Sequence, residues 1–240
     1  MIVFVKLLLA HLLGDFLLQP NSWVLHKEEK KHKSIFLLYH ILIHGALAWI
    51  LIADFEFMFY AVALALIHGL IDVLKLHMQQ KGRRKAKTKR IWFVLDQLLH
   101  MASIAGIALL WTGTDLNNYS MDNRAWIAAT AIFLLTTPAS IIIKNVISIW
   151  TPDNKESKED LENAGKYIGI LERLFIFGFI VSGHFEAIGF LLAAKSIFRF
   201  GDLTQSKDRK LTEYVLIGTL ISFGFAILTG YLFNYALTLL

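Results

Sequence analysis

Histidine and aspartate recur at four-residue spacing on four otherwise apolar stretches. The first is His11/Asp15, with Gln19 a further four residues on; the others are His40/His44, His68/Asp72 and Asp96/His100. Residues four apart share one face of an α-helix, with Cβ atoms about 6 Å apart, so each pair can reach one cation. Facing stripes on packed helices can build a cofactor site in a bundle core. Imidazole with carboxylate suits zinc first, and also iron or manganese. Five His and three Asp exceed the four ligands of one zinc. Either two metals bind, or some of the Asp fix the His tautomers from behind. The expected ligands are therefore His11, Asp15, His40, His44, His68, Asp72, Asp96 and His100, with Asp15, Asp72 and Asp96 also the candidate general bases.

Any one of these His, alone, would read as a buried hydrogen bond between helices. The depth of the whole set argues for more. Counted from one end of each helix, His11 is eight residues from Gln19, His40 and His44 seven and eleven from Lys33, His68 ten from Met78 and His100 ten from Arg90. At about 1.5 Å per residue the His lie roughly 10–17 Å deep and the Asp roughly 6–9 Å. The order inverts from His-x-x-x-Asp to Asp-x-x-x-His in the fourth helix, which runs opposite to the first and third. The inversion keeps the Asp at one level. His26, His32 and His77 lie at interfaces or in loops and His184 in an outer turn, where ordinary polar roles are expected.

The elements that must position this set are membrane spans. The chain has 240 residues, 56% hydrophobic and 18% charged, below the roughly 25% charge of a soluble domain. Its mean hydropathy is +0.54. Such a composition reads as an all-α polytopic transmembrane bundle. With no cysteine, disulfides, thiolate zinc sites and cysteine-ligated clusters are excluded, and any metal must be held by nitrogen and oxygen. Apolar runs fall at 2–19, 34–53, 57–78, 91–111, 124–143, 166–183, 185–200 and 214–239, which gives about eight spans, or seven if one of the short runs is re-entrant. Lys6, His11 and Asp15 interrupt the first run, so it reads as a span rather than a secretory signal.

Basic residues concentrate in the segments 20–33, 79–90, 144–166 and 199–212, while the connections at 54–56, 112–125 and 184–186 hold only Arg124. This alternation predicts cytoplasmic basic loops and both termini outside. The run at 79–90 reads as a solvated loop near anionic lipid; it has no aromatic groups to read nucleic acid, so the net charge of +5 points to membrane lipid as the partner. Two halves are expected, 1–112 with the His/Asp set and 113–240 with ionic residues.

In the second half, Glu172 and Arg173, then Lys195 and Arg199, then Glu213 fall near the same end of three runs. They read as an ion-pair network, with Glu172 or Glu213 pairing Lys195 or Arg173, or as a clamp for an anionic headgroup that Lys75 could join.

The chain resembles the domain-of-unknown-function 3307 family of bacterial integral membrane proteins. The likeness rests on His11-Leu-Leu-Gly-Asp15-Phe-Leu-Leu-Gln19, His68-Gly-Leu-Ile-Asp72-Val-Leu-Lys75, Asp96-Gln97-Leu-Leu-His100, the run from Gly165 to Arg173, Lys195 to Phe200, and Glu213 to Phe223. The resemblance implies a helical fold in the bacterial inner membrane and supplies no reaction. The chain is also similar to membrane-bound metal-dependent hydrolases, which place His and Asp on spans.

The chemistry expected of such a site is metal-dependent hydrolysis of a lipid or lipid-linked substrate at the cytoplasmic leaflet. Transport of a metal ion or protons is the alternative, and a non-catalytic membrane assembly partner the third. Haem is disfavoured by the carboxylates, and di-iron oxygenation by the absence of a His-x-x-His-His box.

Overall fold

A computed structural model describes residues 1–79, 85–113, 121–150, 159–200 and 209–240, the side chains of 85–87, 121–122, 159–164, 198–200 and 209–212 excepted. The described residues form helices and connections, with no strand. They divide into two compact units, Met1–Thr130 and Ala131–Leu240.

The first unit is built from α1 (Ile2–Phe16), α2 (Asn21–Lys30), a 3-10 turn at Lys31–Lys33, α3 (Ile35–Ile52), α4 (Met58–Met78), α5 (Lys85–Thr112) and most of α6 (Met121–Leu134). Helices α1, α3, α4 and α5 close a ring: α1 packs on α3 and α5, and α4 packs on the same two. One end of the ring is filled by Leu7, Ala48, Phe57, Ala61, Leu64, Ile104, Ile107 and Ala108. The stripe of each helix runs on from this apolar plug in steps of about four residues. Leu7 leads to His11 and Asp15, Ala48 to His44 and His40, Leu64 to His68 and Asp72, and Ile104 to His100 and Asp96. The ring thus buries one stripe per helix, apolar at one end and polar at the other. Leu38, Leu42, Leu66, Leu70, Leu98 and Leu109 face outward, as a lipid-facing surface requires. Lys6, a cation within the apolar α1, lies with its Nζ 5.1 Å from the centre of the Trp126 ring.

Two features differ from the sequence expectation. The basic segment 20–33 contains a helix: Pro20 is the N-cap of α2 and fixes an extended backbone before it, and the pair α1/α2 is bent by 81°. Helix α1 also stops at Phe16, so Gln19 lies beyond it and does not extend the His11/Asp15 stripe. Trp23 on α2 stacks on Phe36 of α3 at 5.1 Å, and Glu28 accepts from Lys89 of α5 at 2.6 and 2.7 Å.

The second unit contains the end of α6, α7 (Thr137–Ile147), α8 (Glu159–Ser182), α9 (Glu186–Phe200) and α10 (Arg209–Thr238). Its core is Leu135, Ala139, Ile176, Ile180, Phe223 and Ala226. The single apolar run at 124–143 is broken between α6 and α7, where Pro138 stands in the first turn of α7. Proline has no N–H, so carbonyls at the break lose helical donors.

Helix covers most of each of the eight apolar runs. Among the described residues, five helical stretches are long and apolar enough to cross a membrane: Ile35–Ile52, Met58–Met78, Thr88–Thr112, Asn123–Ile147 and Glu213–Thr238. The bent pair Ile2–Phe16 and Asn21–Lys33 makes a sixth.

Candidate metal centre

The polar half of the α1/α3/α4/α5 ring gathers all eight expected ligands. His11, His40, His44, His68, Asp72, Asp96 and His100 are each at most 6% exposed, and the Asp15 side chain is 12% exposed. Asp15 is the hub. Its Oδ1 lies 3.0 Å from His44 Nε2, 3.2 Å from His40 Nε2 and 3.7 Å from His68 Nε2. Its Oδ2 lies 3.7 Å from His11 Nε2. His68 Nε2 and His40 Nε2 are 3.0 Å apart and share one hydrogen. Ligand atoms of three sets lie within 4.8 Å of one another: His11, Asp15, His44 and His68; His40, His68 and Asp72; and Asp72, Asp96 and His100.

The two other carboxylates already have cations. Lys27 Nζ donates to Asp72 Oδ2 at 2.8 Å, and Lys75 Nζ donates to Asp96 Oδ2 at 2.7 Å. Asp72 Oδ2 also lies 3.5 Å from His40 Nε2. Gln97 ties the groups together. Its Nε2 donates to Asp96 Oδ2 at 3.2 Å and weakly to Asp15 Oδ2 at 3.4 Å, and its Oε1 lies 3.5 Å from His11 Nε2. Three buried atoms, His40 Nδ1, His100 Nδ1 and Asp96 Oδ1, have no hydrogen-bond partner among the described residues. Groups of this kind usually mark a missing ligand, water or ion.

Backbone shape makes room for the imidazoles. A Cβ on Gly14 would collide with the His44 ring, so only glycine there lets His44 lie against α1 and reach Asp15. The rings of His44 and His68 stack with centroids 3.7 Å apart, and those of His68 and His100 are 4.1 Å apart. Beside them lies a cavity of about 10 Å³, lined by His11, His44, His68, His100 and Ser103 and closed by Leu7, Ala48, Leu64 and Ile104. That is room for about one water molecule.

Sequence reasoning missed three members of this site. Lys27 reads as one more cation of a basic loop, but the bend before α2 brings it to Asp72, where it is 6% exposed. Gln97 has the right neighbours, Asp96 and His100, yet carries no ligand signature. Gly14 is visible only once His44 is seen against it.

Lys75 belongs to this layer through Asp96. The other members of the expected headgroup set lie in the second unit. Lys195 Nζ pairs with Glu172 Oε2 at 2.6 Å, as one of the expected pairings has it. Arg173, 3% exposed, bonds main chain and hydroxyls: Nε donates to Leu135 O at 2.7 Å, Nη2 to Thr136 O and Ser140 Oγ at 3.1 and 2.7 Å, and Nη1 to Ser222 Oγ at 3.1 Å. It gives Leu135 O a donor at the α6/α7 break and adds one to Thr136 O, which already accepts from Ser140 N at 3.2 Å. Glu213 is exposed on α10. The side chain of Arg199 lies outside the described residues.

A family model described as "Protein of unknown function (DUF3307)" matches residues 3–149. No curated protein and no solved structure matches the chain. The matched stretch contains the whole His/Asp cluster, Lys27 and Lys75, and it ends before the runs at Gly165–Arg173, Lys195–Phe200 and Glu213–Phe223. By that match over more than half its length, the chain belongs to the domain-of-unknown-function 3307 family.

Proposed function

We propose that the first unit binds one divalent cation, zinc by preference, through three of the four residues Asp15, His40, His44 and His68, the fourth position left to water, and uses it to hydrolyse a lipid or lipid-linked substrate. The observation that carries this reading is the spacing around Asp15 Oδ1. Zinc bonds of about 2.0–2.1 Å in a tetrahedron set neighbouring ligand atoms roughly 3.3 Å apart. Three imidazole nitrogens stand 3.0, 3.2 and 3.7 Å from that oxygen, and two of them 3.0 Å from each other. Charge supports the same conclusion. Asp72 and Asp96 are matched by Lys27 and Lys75, while Asp15 meets imidazoles and the neutral amide of Gln97, which leaves one carboxylate to be balanced in a nonaqueous interior.

Bound zinc would supply a water made acidic and a polarised carbonyl or phosphoryl oxygen. The chain's own residues would do the rest. The cavity between His11, His44, His68 and His100 has room for that one water. Asp96 Oδ1 lies 3.6 Å from His100 Nδ1, and the pair is suited to take its proton. Asp72 Oδ2 lies 3.5 Å from the same His40 Nε2 that faces Asp15, so it would stand beside the cation rather than behind the ring. Lys75, whose side chain is 24% exposed, is the cation of this unit suited to a substrate anion. The membrane reading takes the eight apolar runs as spans of the bacterial inner membrane with both termini outside, the basic segments cytoplasmic and the cluster in the cytoplasmic leaflet. Of the expected headgroup set in the second unit, Lys195 and Arg199 remain the proposed contacts of an anion; Arg173 is buried with its donors on Leu135, Thr136, Ser140 and Ser222, and Glu172 and Glu213 are themselves anionic.

Transport of a metal ion or protons is the second reading. The cavity's size favours it, since a water or a bare ion fits where an ester does not. Elemental analysis of the full chain, purified without chelators, is the first test: about one zinc, iron or manganese per chain is expected, and none would remove hydrolysis and metal-ion transport alike, leaving only proton transport. Vesicles then separate them. Turnover of phospholipid or acyl-amide by the reconstituted protein supports hydrolysis; cation flux without turnover supports transport.

A further inference from the structure

His32 and His77 stand outside the buried cluster and face solvent. His32 lies in the 3-10 turn at Lys31–Lys33, which packs beside α4, and His77 lies in the last turn of α4. His32 Nδ1 and His77 Nε2 are 3.3 Å apart, and the rings lie nearly parallel at 17°. The tautomer of His77 follows from its other nitrogen. Nδ1 is 2.8 Å from the carbonyl of Val73 on the same helix, and a carbonyl can only accept, so Nδ1 carries the proton. Nε2 therefore presents a lone pair to His32, whose Nδ1–H fills it.

We propose that His32 and His77 form a second metal site, a solvent-facing bis-imidazole chelate for a divalent transition-metal ion such as zinc, nickel or copper. Three features carry the assignment. The nitrogen separation of 3.3 Å is the one two imidazoles adopt on a tetrahedral zinc, roughly 3.3 Å. The Val73 carbonyl orients His77 as metal-bound histidines are oriented, through a hydrogen bond from the far ring nitrogen. Both rings are exposed, so water can complete the coordination. On binding, the cation takes the place of the hydrogen between the rings: neutral His32 shifts its single proton from Nδ1 to Nε2 through exchange with solvent, which frees the Nδ1 lone pair with no net proton released. No other bond changes. The preference is for imidazole-seeking ions over magnesium or calcium, which take oxygen.

The site lies on the same helix as Asp72, five residues along α4, at the end of the ring that α2 covers. It is placed to take a cation from water next to the buried cluster. That role rests on the metal reading proposed above, whereas the chelate itself does not.

The test is a zinc and copper titration of the tag-free full chain in detergent, with copper followed by electron paramagnetic resonance. Four proteins are compared: wild type, His32→Gln, His77→Gln, and a His44→Gln/His68→Gln variant lacking the buried ligands. A weak, exchangeable class with nitrogen hyperfine structure is expected in wild type and in His44→Gln/His68→Gln, and at least about tenfold weaker binding in His32→Gln and in His77→Gln. A weak class untouched by either single substitution, or no such class in wild type, overturns the proposal. Loss of the tight class alone would instead bear on the buried centre.

Discussion

At the scale of single residues, Asp15 and Asp72 are both buried carboxylates among imidazoles, yet they differ in their partners. Asp15 meets His40, His44, His68 and His11, while Asp72 has the ammonium of Lys27. Asp15→Asn is therefore expected to empty the site, and Asp72→Asn to weaken metal affinity by about 10–100-fold, as loss of a supporting contact does. Equilibrium dialysis against zinc measures both; equal effects would put the hub elsewhere. Lys27→Met leaves Asp72 buried and unpaired and is expected to cost about 3–5 kcal/mol. Adding Asp72→Leu should recover much of that loss in a detergent-denaturation series, because the stranded charge goes with it.

At the scale of elements, Gly14 and Arg173 do comparable work by opposite means. Gly14 removes a side chain so that α1 admits the His44 ring. Gly14→Ala should lower metal affinity at least about tenfold while leaving the helix content read by circular dichroism unchanged. Arg173 adds a side chain to satisfy two main-chain carbonyls and two hydroxyls where α6 breaks before α7. Arg173→Lys keeps the charge but cannot span four acceptors, so it should lower the thermal midpoint nearly as much as Arg173→Ala. The four ligand stripes were legible in the sequence because their four-residue period continues an apolar one: Leu7 to His11, His100 to Ile104. Helix α2 was not, since it is polar and buries a lysine, and nothing in a linear pattern announces an 81° bend. Arg173 was legible as a charge but not as a cap, because its acceptors are main-chain atoms nearly forty residues away.

For the whole molecule, two units with separate buried polar groups imply separable phenotypes. Lys195→Gln breaks the pair with Glu172 and should leave the metal content of the chain unchanged. Metal content should also fall as the medium is acidified, because protons compete with the cation for the imidazole lone pairs. A content independent of pH would point to carboxylates alone. The apolar runs foretold every helix that carries a ligand, yet the division of the chain falls within α6 rather than in a connection, where composition offers no mark.

Adjacent residues of α2 hold two different helices, Lys27 reaching α4 and Glu28 reaching α5. A captured ion would then sit behind a double latch. Its escape would be timed by the peeling of ten residues rather than by the strength of its own bonds. Wild-type protein should surrender zinc to an external chelator slowly and Lys27→Gln should do so fast, even if both bind it with comparable strength at equilibrium.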